Sequence, residues 1–246
     1  MCTVLIAHRV VPGARLILAA NRDELIDRAS AAPAVLRSGP EGVIAGGRDL
    51  VAGGTWLAVS SDGRVAAVTN RHVGLRDPSR RSRGEIPLLL LEAGDGARDV
   101  AVGLQAGVYN PVNVLLADAA GVLVVHVDER ATPVELSPGL HVLTTVDVDS
   151  EAKAQRLRGL LEVALAGASA SVLAAVESME AVLRDHGPDG GAGLDAACVH
   201  GDRYGTVSSS SVAVLDDAGV IYRHAAGRPD ETAHQDVSSL LRLQQR

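Results

Sequence analysis

The sequence predicts an α+β protein built as a four-layer αββα sandwich of two mainly antiparallel sheets. Three observations predict it: apolar runs of four to six residues without polar alternation, tight turns joining successive runs, and two segments with helical periodicity. Apolar runs of this length bounded by turns read as strands buried on both faces. Strands so buried need cover on each side, which two stacked sheets with a helix layer outside each provide. A two-layer domain with a single sheet is the alternative, but it leaves one face of these apolar strands wet.

In order along the chain, Val4–Ala7 and Leu16–Ala20 are joined at Pro12-Gly13, and Trp56–Val59 and Val65–Val68 at Ser61-Asp62-Gly63. Val112–Ala117 and Val122–Val127 are joined at Ala119-Ala120-Gly121, and Val212–Leu215 enters a closing hairpin at Asp217-Ala218-Gly219. Such short turns make hairpins, and hence antiparallel sheets. A further strand is expected before the last helices. Leu157, Leu160, Leu161, Ala164 and Leu165 fall at helical spacing, as do Val172, Val176, Met179 and Leu183; a second helix pair is expected over Ile86–Leu91 and Val100–Leu104. With no internal repeat, low-complexity linker or boundary signal, residues 1–246 are expected to be one domain. Residues 187–193 read as a loop, and the polar tail after Arg223 as only partly ordered.

The 246 residues are 47% apolar, enough for an extensive core, yet the chain has no Phe and only 2% aromatics. The core must therefore come from Ala, Val, Leu and Ile. Arg carries nearly all positive charge, Lys153 being the only lysine, which reads as genome composition. A net charge of −7 argues against a partner gripped by its phosphate backbone, so no nucleic acid is expected. The basic stretch from Arg71-His72 through Arg76 to Arg80-Arg81-Ser82-Arg83 is short, lacks interleaved aromatics, and reads as a solvated loop or local anion clamp. Two cysteines make no disulfide framework, and the eight histidines show no H-x-x-x-H pair and no cysteine at ligand spacing, so no metal and no cofactor is expected. No apolar run approaches the roughly 18 residues of a membrane span, and a cytoplasmic protein is expected.

Candidate chemistry begins at Cys2. If Met1 is trimmed, one residue carries both a thiol nucleophile and an α-amine whose pKa suits a general base. In a hairpin turning at Pro12-Gly13, the end of the second strand lies beside the start of the first, which brings Asn21 and Asp23 close to Cys2. Four polar residues, Asn21-Arg22-Asp23-Glu24, at the mouth of a buried strand are costly unless exposed or partnered. Asp23 is placed to hold the Cys2 amine, and Asn21 or Arg22 to bind a substrate oxygen; a charged strand-to-loop exit is the plainer alternative. Asn70 closes the Val65–Asn70 strand, where its side-chain NH2 suits an oxyanion donor, or else a turn residue bonding its own backbone. Gly46-Gly47 and Gly53-Gly54 lack nucleotide-loop spacing and read as tight turns or points of close backbone approach. His8 and His126 read as core histidines, and Ser208–Ser211 as a polar strand entry.

Cys2-Thr3, Asn21-Arg22-Asp23-Glu24, Gly46-Gly47-Arg48-Asp49, Gly53-Gly54-Thr55-Trp56-Leu57, Thr69-Asn70, Ser82-Arg83-Gly84 and Tyr204-Gly205-Thr206 resemble, in order, the landmarks of the NRDE family, the transport and Golgi organisation protein two-like proteins. The family is similar to N-terminal nucleophile (Ntn) hydrolases, whose cysteine branch includes penicillin V acylase and bile salt hydrolase. The resemblance implies an Ntn-hydrolase-like αββα sandwich with Cys2 as nucleophile, its amine as base, Asp23 holding that amine and Asn70 as oxyanion donor. The chain departs from the pattern at Ala20, where the acylase branch has Arg, at Thr145, where a second Asn is expected in the substrate site, and at Val207. Two functions are expected from this: a cysteine amidohydrolase cleaving a small non-peptide amide, or a non-catalytic protein that binds haem or a lipid or acyl ligand in the same cleft.

Overall fold

A computed structural model describes residues 2–39, 42–74, 76–167, 171–188, 190 and 193–242. The strands are β1 (Cys2–Val11), β2 (Ala14–Leu25), β3 (Ser30–Gly39), β4 (Gly42–Asp49), β5 (Leu57–Ser60), β6 (Val65–Asn70), β7 (Val112–Ala117), β8 (Val122–Val127), β9 (Ala131–Leu136), β10 (Gly139–Leu143), β11 (Tyr204–Leu215), β12 (Val220–Ala225) and β13 (Gln235–Asp236). Helices α1 (Ile86–Glu92) and α2 (Ala97–Val102) fall between β6 and β7, and α3 (Ala152–Ala166) and α4 (Val172–Val182) between β10 and β11. Two compact units result, one from the chain up to Arg28 with Pro138–Ser238, the other centred on Ala29–Ser137.

The first unit holds a six-stranded antiparallel sheet in the order β10-β1-β2-β11-β12-β13. Alternate residues Leu5, Ala7, Ile17, Ala19, Val142 and Ala213 form one cluster with Leu157 and Leu161 of α3 and Val176 and Met179 of α4. The intervening residues Val4, Ile6, Leu16 and Leu18 are buried as well, which explains why these strands read as unbroken apolar runs. Ser171 caps α4 by accepting a 3.2 Å hydrogen bond from the Ala174 backbone N–H. Gly13 adopts φ +87° at the β1–β2 turn, a conformation open to glycine at little cost.

The second unit holds a seven-stranded antiparallel sheet in sequence order, β3 to β9. Ala58, Ala66, Val68, Val114, Leu116, Leu123 and Val125 pack with Ile86, Leu90 and Leu91 of α1 and Ala97 and Ala101 of α2. All four expected hairpins and all four expected helices are present. β3 and β9, which carried no apolar run, are edge strands, each containing a proline and largely exposed. An edge strand tolerates proline and does not need two buried faces, so the run-based reading misses it.

Several local expectations change. Gly46 and Gly47 lie within β4 rather than in a turn: a Cβ on Gly47 would overlap the Trp56 ring, and one on Gly46 the Leu57 carbonyl. Four arginines of the basic loop are engaged within the unit. Arg71 pairs with Asp128 at 2.9 Å and Arg81 with Glu85, while Arg80 and Arg83 donate to the Tyr109 and Pro111 carbonyls. The tail adds β13 and a closing 3-10 turn over Ser238–Leu241, and positions 243–246 lie outside the described residues. Of the loop expected over residues 187–193, positions 189, 191 and 192 lie outside the described residues. Among the described residues no helix is long and apolar enough to cross a membrane.

Candidate functional site

The hairpin register sets Cys2 directly opposite Arg22 and Thr3 opposite Asn21. β2 does not stop at Ala20. It continues to Leu25 because β11 pairs with it on the other side, Thr206 opposite Asp23, Ser208 opposite Arg22 and Ser209 opposite Asn21. Asn21, Arg22 and Asp23 are thereby inside the sheet, 1%, 4% and 2% exposed, which rules out a solvated strand exit. Burial of three polar residues in succession is tolerable only if each has partners.

Asp23 Oδ1 accepts a 2.6 Å hydrogen bond from Thr206 Oγ1, and the Asp23 carbonyl accepts one of 2.8 Å from the Tyr204 hydroxyl. Burial pushes the Asp23 carboxyl up to about 6, against the opposing pull of the Thr206 hydroxyl and the Lys153 ammonium. Lys153 is itself 5% exposed, donates to the Leu194 carbonyl at 2.9 Å, and is drawn below its ordinary pKa by burial, partly offset by Asp23. The sole lysine thus sits in the electrostatic environment of Asp23. In a chain that uses Arg almost everywhere else, that singularity was the available signal.

Cys2 is half-buried. Burial raises its thiol pKa above the ordinary value; the Asp23 carboxylate adds to this, while the Asp23 backbone N–H and the Arg22 guanidinium favour the thiolate. The resting thiol is therefore protonated at neutral pH and needs a base, whereas its reference value implied a reactive thiolate fraction. Asn21 Nδ2 donates to the Leu183 and Ala197 carbonyls at 2.9 and 2.8 Å, so both amide protons hold the framework, and Oδ1 is buried with them. Arg22 lies 3.7 Å from Glu24. Thr144 and Thr145, 1% and 4% exposed, continue β10 past its last pair with β1, Val4 with Leu143. Asn70 belongs to the second unit, half-buried at the end of β6 and opposite Val112.

Ser208–Ser211 are no strand entry. They sit in the middle of β11 between β2 and β12, all buried. Ser210 meets His224 Nδ1 at 2.9 Å, His234 Nε2 meets Ser209 at 3.0 Å, and Ser211 donates to Glu180 at 2.6 Å, with Arg223 on the same Glu180 oxygen at 2.9 Å. His126 Nδ1 lies 2.8 Å from Asn113 Oδ1 in the second unit, and His8 is 4% exposed. One grouping was missed altogether: His186, Cys198, His200 and Asp230 bring potential metal-ligating atoms within 4.8 Å of one another. The signal for it was Cys198-Val199-His200, a cysteine two residues from a histidine.

The solved structures similar to this chain include an orthologue of the N-acylethanolamine-hydrolyzing acid amidase from Caenorhabditis elegans, at TM-score 0.56 and 16% identity, covering 88% of this chain and 95% of that one. A mutant of the conjugated bile acid hydrolase from Clostridium perfringens matches at TM-score 0.51 and 12% identity, covering 97% and 93%. These likenesses show the fold, the α+β Ntn-hydrolase class with its αββα sandwich. Among curated proteins, the mouse Transport and Golgi organization 2 homolog is 34% identical over 140 residues, 53% of this chain and 50% of that protein. The human homolog is 34% identical over 142 residues, with the same shares. The chain spans about half the length of the curated relatives it matches. The model of the family described as Transport and Golgi organisation 2 matches residues 1–223, and the chain belongs to that family.

Proposed function

We propose that this protein is an Ntn-type cysteine amidohydrolase acting on a small non-peptide amide. The observation that carries the reading is the placement of Cys2 against Arg22 and Asp23, with the Asp23 backbone N–H favouring the thiolate and its buried carboxyl pushed up to about 6. The raised thiol pKa makes a local base necessary, and an α-amine on Cys2, created by loss of Met1, supplies one on the same residue. In this reading the amine takes the thiol proton, and the sulfur attacks the amide carbon to give a tetrahedral intermediate. The developing oxyanion needs an N–H donor, the role that the family resemblance implies for Asn70. The ammonium returns its proton to the departing amine, leaving a thioester on Cys2. Water, deprotonated by the same amine, attacks the thioester and frees the acid and the thiol. Asp23 holds the amine, and Asn21, Arg22 and Thr145 are the residues assigned to the substrate. A free thiol at the working residue suits a reducing compartment, and a cytoplasmic location is part of the proposal.

The fold neighbours named as hydrolases of an N-acylethanolamine and of a conjugated bile acid set the first substrate panel: acyl amides with a small amine or amino-acid leaving group. Turnover of one panel member, its loss in Cys2→Ala, and an intact mass lacking Met1 are the expected results. Turnover unchanged in Cys2→Ala overturns the nucleophile. Saturable binding of haem or a fatty acid by Cys2→Ala, with no amide turned over by the unsubstituted protein, replaces the reading with that of a ligand carrier.

A further inference from the structure

Three segments of the first unit converge on one point. His186 follows α4, Cys198 and His200 precede β11, and Asp230 follows β12. We propose that these four side chains bind a transition-metal cation of the zinc class, which fastens the Cys198–His200 peptide against the residues that support Asp23. Neither the amidohydrolase reading nor the family match assigns the site, and the proposal does not depend on the chemistry of Cys2.

The spacing is that of a coordination shell. Zinc holds nitrogen and oxygen at about 2.0–2.2 Å and sulfur at about 2.3 Å. Around a tetrahedral centre those lengths require ligand atoms roughly 3.3–3.6 Å apart. Cys198 Sγ lies 3.7 Å from His200 Nε2 and 3.3 Å from Asp230 Oδ1, and Asp230 Oδ2 lies 3.0 Å from His186 Nε2 and 2.8 Å from His200 Nε2. These separations lie on both sides of the required ones, and one ligand atom from each residue lies within 4.8 Å of the others, so the side chains draw in around a cation. The two imidazoles stand edge to face, centroids 4.8 Å apart at 76°, with both Nε2 atoms turned toward the same carboxylate. That leaves their faces unstacked, as two ligands of one ion must be.

Ligand chemistry selects the ion. A thiolate with two imidazoles suits zinc and its borderline-soft neighbours, while a lone carboxylate is too little oxygen for calcium or magnesium. Cys198 is buried, whereas His186 is 42% exposed in its side chain and provides the approach from solvent. On binding, the Cys198 S–H proton leaves to solvent, and each imidazole presents Nε2 as a lone pair with its proton on Nδ1.

The consequence for the neighbouring site follows from the backbone. The residues on both sides of Cys198 are bonded to the Cys2 region: the Ala197 carbonyl accepts from Asn21 Nδ2 at 2.8 Å, and Val199 exchanges 2.9 Å bonds with Thr206, through its N–H to Oγ1 and through its carbonyl from the Thr206 N–H. Thr206 Oγ1 in turn donates to Asp23. A cation on Cys198 and His200 thus restrains the peptide that positions Asn21 and Asp23.

The test is titration of metal-free full-length protein with Co²⁺. The expected result is a sulfur-to-cobalt charge-transfer band with tetrahedral d–d absorption, saturating at about one equivalent per chain, displaced by Zn²⁺ and indifferent to Mg²⁺ and Ca²⁺. The band persists in Cys2→Ala and is lost in Cys198→Ser, and His200→Gln weakens binding by about 100-fold or more, beyond the usual effect of an outer-shell change. Zn²⁺ raises the Tm of the unsubstituted protein and not that of His200→Gln. No thiolate band at one equivalent overturns the proposal, as does a band that disappears in Cys2→Ala. The Cys2→Ala comparison decides the question even if Cys198→Ser does not fold.

Discussion

Thr206 Oγ1 donates a 2.6 Å hydrogen bond to Asp23 Oδ1 at the register where β11 and β2 set the two residues face to face. The same hydroxyl oxygen accepts from the Val199 backbone N–H at 2.9 Å. One side chain therefore orients the candidate carboxylate and ties it to the Cys198 segment.

Removing that hydroxyl should be costly. Thr206→Val keeps the shape but takes a donor from Asp23 and an acceptor from Val199, both buried, and should lower unfolding stability by about 2–4 kcal/mol in urea titration. Thr206→Ser should restore most of it. Asp23 should also titrate at higher pH in the Val variant, because the bond lost is one that stabilised the carboxylate.

Asp23 gives a pH dependence of unusual sign for a carboxyl. Its pKa is about 6 in the fold against an ordinary 3.8, so folding favours the protonated form. That contribution is full below about pH 4, is lost as pH rises through about 6, and amounts to roughly 3 kcal/mol. Asp23→Asn, which cannot ionise, should gain on the unsubstituted protein by that amount between about pH 4 and pH 7, measured as the difference of their urea midpoints.

His224 and His234 act in the opposite direction. Burial holds both imidazoles neutral, lowering them from 6.5 to about 4, with His234 added to the burial effect for His224, and Arg223 and Arg184 for His234. The stability they contribute is present above about pH 6.5 and is lost as pH falls through about 4, each by roughly 3 kcal/mol. In the unsubstituted protein Asp23 offsets about half of their combined effect. His224→Gln should therefore reduce acid destabilisation across this window and give the flattest profile, because His234 and Asp23 then nearly offset each other, whereas adding Asp23→Asn should restore a rise with pH of roughly 3 kcal/mol from His234.

Asn21→Ala should destabilise by about 2–5 kcal/mol, because the Leu183 and Ala197 carbonyls both lose their buried donor. If Asn21 serves chiefly as framework, the residual folded protein at low temperature should retain labelling of Cys2 by a thiol reagent.

In the second unit, Gly54→Ala should cost about 3 kcal/mol, since a Cβ there overlaps the Gly84 backbone while the Thr55 N–H bonds the Gly84 carbonyl at 2.8 Å. Thermal unfolding of the variant checks it. Gly53→Ala separates the two causes: Gly53 has open space around it but φ +78°, so any loss there is conformational strain.

The sequence by itself determined the double burial of the central strands, the four hairpins, both helix pairs and the placement of Cys2 beside the end of β2. Each follows from local periodicity or from the length of a turn, which neighbouring residues encode without distant partners. The edge strands β3 and β9 were not legible, since a strand with one neighbour and an exposed face needs no apolar run. Nor was the depth of Asn21-Arg22-Asp23 in the sheet: polar residues ending an apolar run look like an exit until β11, about 180 positions away, pairs alongside them. The same holds for Lys153, whose burial depends on α3 bringing it to Asp23, and for the His186, Cys198, His200 and Asp230 grouping, drawn from three separate segments. Tertiary structure decided these because desolvation and hydrogen bonding depend on what closes over a residue, and local pattern carries no record of a partner so far along the chain.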